Sequence, residues 1–293
     1  MGKAIAGGRI QRMLRVGPAL IHAACIRYPR TMARVLGELP MQSVRPVYSI
    51  VKDLEQKIPN KVYQTWLVDR VGKTHLRELA KFRALNSDYS FYFYDQEQMD
   101  EYMGSYFEGA PILDVYRRAR YGPLKADIWR YCILWERGGA YFDINKLLGT
   151  SLSNIIEPTD TAVISFELNA SPIRCPPSVA PQLQFPDRTV CNWGMMFEKG
   201  HPLLKLVIDG IVEKAPKYRG LEVSDIKSTI IALSGPRHLT ECVYRYIASH
   251  GSDSIKQAGI DFFGTAIVNV RGAFVRYMTM PSYSLSSGGV ILD

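Results

Sequence analysis

Residues 125–145 read Lys-Ala-Asp-Ile-Trp-Arg-Tyr-Cys-Ile-Leu-Trp-Glu-Arg-Gly-Gly-Ala-Tyr-Phe-Asp-Ile-Asn. Helical spacing runs from Asp114 to Arg137, interrupted at Gly122-Pro123. Gly138-Gly139 stops it, because glycine alone ends a helix in a left-handed turn without steric cost. Ala140-Tyr141-Phe142 then reads as a short strand, with Asp143-Ile144-Asn145 at its end. In α/β sheets ligands bind outside the carboxyl ends of strands, so Asp143 is expected at the mouth of a crevice. A carboxylate with a second side-chain oxygen two residues on is a donor pattern for Mg²⁺ or Mn²⁺ carrying a diphosphate. Arg130 offers a planar fork for phosphate or sugar oxygens, and Asp127 shares its helix face at i,i+3. The plainer alternatives are a surface salt bridge for the Asp127–Arg130 pair and a turn former for Asp143. Spacing alone leaves both open.

Working outward, the same rhythm recurs. Lys61–Trp66 predicts a strand, Leu76–Leu85 a helix, and the aromatic run Tyr89–Tyr94 a second strand ended by Asp95. A helix beginning at Gln96, strands at 161–167 and 192–197, and helices over 202–212 and from Pro236 to Ala248 complete an α/β pattern. Residues 169–188 hold five prolines and predict a long loop, with a lid as one reading. The tail from Phe262 reads as strand-like.

Composition limits the function classes. The 293 residues are 47% hydrophobic and 22% charged, as in a folded globular chain. Formal net charge is +8, but ten of the basic residues and only three acids fall within residues 1–58. The basic character therefore belongs to an N-terminal arm, and the rest of the chain is near neutral. Helical stripes at Ile10, Met13, Leu14, Leu20 and Ile21, then at Met32, Val35, Leu36 and Leu39, are interleaved with arginines. Such helices either lie on an anionic membrane surface or pack on the domain with their arginines outward. A nucleic-acid enzyme spreads its basic residues over its core, so no nucleic-acid partner is expected. Five cysteines without a CxxC pair suggest free thiols in a reducing compartment. The N-terminus lacks a secretory pattern, so a cytoplasmic location is expected, peripheral at the inner face of a membrane if the arm takes the first of its two readings. There is no GxGxxG, GxxxxGK[ST], HExxH or GxSxG motif.

Taken together, Ala126-Asp127, Arg130-Tyr131, Gly138-Gly139, Tyr141 and Asp143 resemble the glycosyltransferases with a sugar-binding region containing a DXD motif. That group includes initiating α-1,6-mannosyltransferases, inositolphosphoceramide mannosyltransferases and bacterial capsular enzymes. Four more blocks keep the family's order. They are Ile58-Pro59-Asn60-Lys61 with Gln64-Thr65-Trp66, Tyr89–Asp95, Asn192-Trp193-Gly194 with His201-Pro202, and Ser234-Gly235-Pro236. The resemblance covers roughly residues 58–245. It implies a GT-A-like single nucleotide-sugar-binding domain over 58–293, with a mostly parallel central sheet, preceded by a helical arm over 1–57. It implies a retaining transfer of a hexosyl unit from a UDP- or GDP-linked sugar to a glycan or glycolipid. Candidate catalytic residues are Asp143, Arg130 and Asp127. Trp66, Asp127, Arg130, Tyr141 and Asp143 are implied to bind the donor. Asp143 and Asn145 are implied to hold Mn²⁺ or Mg²⁺, and Asn192, Gly235 and Pro236 to face the acceptor. The departure is Asn145, which stands where the family has a second acid. An amide brings an oxygen but no charge, so a degenerate member that binds donor or glycan without turnover is the alternative. The family's closing His or Ser-x-Trp segment has no clear counterpart; Tyr283–Ser287 is the nearest stretch.

Overall fold

The computed structural model describes residues 18–50, 55–279 and 288–293. The expected stripe at Ile10, Met13 and Leu14, the side chains of Leu20 and Ile21, and the segment Tyr283–Ser287 lie outside the described residues.

The centre is a seven-stranded sheet. In chain order its strands are β1 (Lys61–Thr65), β2 (Ser90–Tyr94), β3 (Gly139–Phe142), β4 (Ala162–Ala170), β5 (Arg188–Val190), β6 (Gly194–Phe197) and β7 (Lys256–Ile260). Their spatial order is β7-β4-β6-β3-β1-β2, with β5 paired to β4. β2, β1 and β3 are mutually parallel, as are β4 and β7, while β6 lies antiparallel between β3 and β4. β1, β2, β3, β4 and β7 thus share one direction, and β5 and β6 oppose it. The sheet is α/β and mostly parallel, as expected.

Alternation with period two sorts each strand's side chains to opposite faces, and both faces are covered. Tyr63, Tyr141, Ile164, Met195 and Phe197 join one core, shared with the helices. Val62, Ala140, Phe142, Val163 and Met196 join the other. Helices α4 (Gln96–Tyr106), α5 (Pro111–Arg118), α6 (Gly122–Arg137), α7 (Pro202–Lys214), α8 (Ile226–Leu233) and α9 (Pro236–His250) supply the first core. Helix α3 (Lys73–Leu85) packs on the second through Leu79 and Phe82.

Helix α6 is central rather than peripheral. Nine of its residues are buried, including Trp129, Tyr131, Asp127 and Arg130. A helix covered on nearly all sides must pair its charges internally. Pro123 sits in its first turn, where the missing N–H costs nothing. At its other end Gly138 takes φ +63 and Gly139 φ +108.

The arm helices α1 (Pro18–Arg27) and α2 (Pro29–Val35) lie against the domain. Cys25, Met32 and Ala33 are buried, whereas Val35 and Leu36 are 43% and 42% exposed, so the second expected stripe is only partly used inward. Contacts run from α2 to a 3₁₀ turn at Ala273–Met278. Glu38, also buried, accepts the Thr74 N–H at 2.8 Å in the first turn of α3, where a carboxylate is favoured by the helix dipole. Gln42–Ser43 pairs with Arg70–Val71.

Two expectations differ. The tail from Phe262 is not a long strand. Asp261, Phe262 and Phe263 take φ +47, +53 and +57, followed by a two-residue strand at Ala266–Ile267 and the 3₁₀ turn at 273–278. Ser165 imposes the turn, because its hydroxyl accepts the Phe262 N–H and donates to the Gly259 carbonyl at 2.8 and 2.9 Å. The proline-rich stretch 169–188 is not a lid over the crevice. Gln257 of β7 ties it at both faces of its amide, accepting from Gln184 N–H and donating to the Gln182 carbonyl, each at 2.8 Å. Val179 is fully buried there.

Candidate functional site

The carboxyl ends of β1 and β3 open on a cavity of about 260 Å³. β6 runs the other way, so its amino end reaches the same rim. Phe142 pairs with Gly194, and the Asp143 N–H donates to the Trp193 carbonyl at 2.8 Å. This places Asn192, Asp143 and Trp66 around one opening. Behind it Phe262 wedges against Phe142 and Trp193, with ring centroids 5.9 and 5.5 Å away. Beneath the loop 143–145, His75 bonds the Ile144 carbonyl at 2.7 Å through Nε2. Burial holds this imidazole neutral, down to a pKa of about 4, and a neutral ring with Nε2–H is the donor that contact needs.

The floor is a buried polar network. Asp127 Oδ1 accepts from Asn192 Nδ2 at 3.1 Å and faces Arg130 Nη2 at 3.2 Å, and Oδ2 accepts from Ser234 Oγ at 2.8 Å. Burial lifts the Asp127 carboxyl to about 6 against the opposing pull of Arg130 and its two hydrogen-bond donors. Arg130 donates to the Ala126 and Asn192 carbonyls at 3.2 and 2.7 Å, and its Nη2 also reaches Asp143 Oδ1 at 3.2 Å. Its guanidinium lies over the Tyr141 ring, 4.4 Å from the centroid, and the Tyr141 hydroxyl donates to Asp143 Oδ1 at 2.8 Å. One oxygen of Asp143 is therefore oriented by two donors, while its side chain keeps 28% exposure.

Asp127, Arg130, Tyr141, Asp143, Asn145 and Asn192 all line or floor this one cavity, with Trp66 on its wall. The pair expected to present an open fork is instead engaged with protein acceptors, because a buried guanidinium must be satisfied. Asn192, expected on the acceptor side, lies in the floor. Pro236 lines the cavity, while Gly235 is the N-cap of α9 and its neighbour Ser234 makes the contact to Asp127. Four contributors were missed. Ser234 had its signal in the Ser-Gly-Pro block. His75 had none. Arg276 and Tyr277 come from the 3₁₀ turn, and a basic residue among aromatics was the only cue.

Arg276 lies opposite Trp66, 5.8 Å from its ring, and 4.3 Å over the Tyr277 ring. It donates to the Ala273 carbonyl at 2.6 Å and to the Tyr277 hydroxyl at 2.8 Å. Trp66 is fixed in turn by its indole N–H donating to Thr279 Oγ1 at 3.2 Å. Burial lowers the Arg276 pKa, partly offset by Tyr277 and Asp143.

A divalent cation here needs hard oxygen donors, usually more than one of them charged. The cavity offers Asp143, whose Oδ1 already accepts from Tyr141 and faces Arg130, and the neutral amide of Asn145. Asp127 is enclosed by three protein donors. No cluster of three His, Cys, Asp or Glu able to hold a metal occurs among the described residues. The charged lining residues, Asp127 and Asp143 against Arg130 and Arg276, cancel. Among the described residues, one half-engaged carboxylate and a neutral amide do not by themselves fit an Mn²⁺ or Mg²⁺ centre.

Residues 72–162 match the family described as "Glycosyltransferase sugar-binding region containing DXD motif". The matched segment belongs to the family that the chain's motifs resemble. The match contains Asp127, Arg130, Tyr141, Asp143 and Asn145. It leaves out Trp66, Asn192, Ser234 and Arg276.

Among characterised proteins, the chain is similar to an initiation-specific alpha-1,6-mannosyltransferase of Candida albicans, at 26% identity over 68% of this chain and 56% of that one. It is also similar to inositol phosphoceramide mannosyltransferase 3 of Schizosaccharomyces pombe, at 24% identity over 58% of this chain and 42% of that one. The chain thus spans about half the length of the curated relatives it matches. The solved structure of a PaToxG glycosyltransferase aligns over 68% of this chain and 73% of its own, at 17% identity and a TM-score of 0.49.

Proposed function

We propose that this protein is a retaining glycosyltransferase that moves a hexosyl unit from a nucleotide sugar to a glycan or glycolipid hydroxyl. The observation that carries the reading is Asp143, held at a strand end by Arg130 and Tyr141 and opening on a cavity walled by Trp66 and Arg276. The indole of Trp66 offers a stacking face for a base. The exposed edge of Asp143 accepts a hydroxyl of the ribose or sugar. In the reaction the bond from the anomeric carbon to the phosphate oxygen breaks and that oxygen leaves with the diphosphate. The acceptor oxygen bonds to the same face of the anomeric carbon, and its proton passes to the departing phosphate. Asp127 is enclosed by protein donors and the free oxygen of Asp143 is assigned to orienting a hydroxyl, so no separate nucleophile is nominated and a front-face displacement is the mechanism proposed. The mannosyltransferase names of the two relatives make GDP-mannose the first donor to try.

The test is a panel of GDP- and UDP-sugars scored by thermal shift and by release of free nucleoside diphosphate. One donor is expected to stabilise the wild-type chain and be turned over, with Asp143→Asn at least about tenfold slower. Absence of binding by every donor would sink the reading. Asn145 favours the second reading, a binder without turnover. That reading predicts donor binding without release in the wild type and release gained in Asn145→Asp.

The arm supports a proposal of attachment at an anionic membrane, with the domain on its cytoplasmic face. Arg27, Arg30 and Arg34 are exposed on α1 and α2 beside the exposed Val35 and Leu36. No helix among the described residues is long and apolar enough to cross a membrane. Full-length protein should co-sediment with phosphatidylserine vesicles and lose this when the three arginines become glutamine. Equal binding by that variant would refute the attachment.

A further inference from the structure

We propose that Arg276, in place of a divalent cation, neutralises the donor's diphosphate in this cavity, an inference that rests on the transferase reading above. The donor brings more than one negative charge into an opening whose own charges cancel. Asp143 and Asn145 supply too little to hold a metal against Arg130. Arg130 is shared by both carboxylates, which leaves Arg276 as the lining cation to face the diphosphate.

Arg276 has the right chemistry for this. It forms no ion pair with a carboxylate among the described residues, although Asp143 is near enough to act on it. Among the described residues two of its five N–H donors are engaged, one by the Ala273 carbonyl and one by the Tyr277 hydroxyl. Those two bonds hold the guanidinium plane still. The rings of Trp66 and Tyr277 flank it, so the remaining donors form a prepared fork. A fork of this kind matches two phosphate oxygens at once, which a point charge does not. It also meets the charge where it develops, on the departing phosphate oxygen. Arg130 does not fill this role, because its own fork is committed to Asp127, Asp143 and two carbonyls. Asp143 is then left to orient hydroxyls rather than to ligate metal.

The experiment is calorimetric titration of the full chain with GDP and UDP, each in EDTA and in MnCl₂. The better diphosphate is expected to bind with EDTA as tightly as with Mn²⁺, within about threefold. Arg276→Met, which keeps length and loses charge, should weaken it about 10- to 100-fold. Arg276→Lys, which keeps charge and loses the fork, should fall between. Binding that needs Mn²⁺, or Arg276→Met binding like the wild type, overturns the proposal while leaving the transferase reading intact. Failure of both diphosphates to bind the wild type in either buffer overturns both. Should Arg276→Met not fold, the wild-type comparison between EDTA and Mn²⁺ still decides.

Discussion

Tyr141 joins two functions in one side chain: its ring carries the Arg130 guanidinium and its hydroxyl aims Asp143. Removing the hydroxyl alone separates them. Tyr141→Phe is expected to cost about 1 kcal/mol of stability, the worth of one hydrogen bond. Its kcat should fall about tenfold, since Asp143 then has only Arg130 to orient it. Urea denaturation and steady-state kinetics on the same preparation check both halves, and an unchanged kcat would remove Tyr141 from the positioning role. Asp143 and Tyr141 were legible in the sequence because a strand end after a glycine stop is a local signal. Arg130 was legible as a residue but not as a brace, since nothing local says that α6 is buried on nearly all sides. Arg276 was illegible. It lies in an irregular tail with no helical or strand period, and only the packing of that tail returns it to Asp143.

At the scale of elements, the α6–β3 junction shows why both glycines are required. A Cβ on Gly138 would stand 2.7 Å from the Lys199 backbone nitrogen, and one on Gly139 would stand 2.6 Å from the Lys61 carbonyl oxygen. Both contacts are with backbone, so neither can be relieved by a side-chain rotation. Gly138→Ala adds the left-handed penalty to this clash and is expected to destabilise by more than about 2 kcal/mol. A shift in the denaturation midpoint smaller than about half of that would show that the junction yields. The sequence marked this stop correctly. It did not reveal that β6 runs against its neighbours, which brings Asn192 to the cavity floor, because strand direction depends on connections rather than on any residue pattern. The left-handed turn at 261–263 was hidden for a related reason. Phenylalanine disfavours positive φ and aspartate tolerates it only modestly, and such positions cost on the order of 1–3 kcal/mol each. Ser165 and the burial of Phe262 hold them there.

Over the whole molecule, three buried imidazoles set the response to acid. His75, His201 and His238 are each held neutral to a pKa of about 4 by burial. Unfolded histidine takes up its proton near pH 6.5. Between these values the unfolded chain binds more protons, so stability is full above about 6.5 and falls as pH drops towards 4. Each group contributes on the order of 3 kcal/mol to that loss. Asp127, raised to about 6, and Glu167 and Asp261, also raised by burial, act in the opposite sense, and the three imidazoles are expected to outweigh them. Melting temperature is expected to drop steeply between pH 6.5 and 4, and His238→Gln should flatten the slope. A pH-independent melting temperature over that interval would contradict it.

Helix α2 rests on the same 3₁₀ turn that carries Arg276 and, through Thr279, steadies Trp66. The proposed anchor and the proposed donor clamp therefore share one wall. A truncation of the arm would then be no neutral way to test attachment, since it strips the support from behind the pocket. A pull on the anchored arm would be felt at the diphosphate. On the proposed function, attachment and turnover would be adjustable together but not separately, unless the change is confined to the outward arginines.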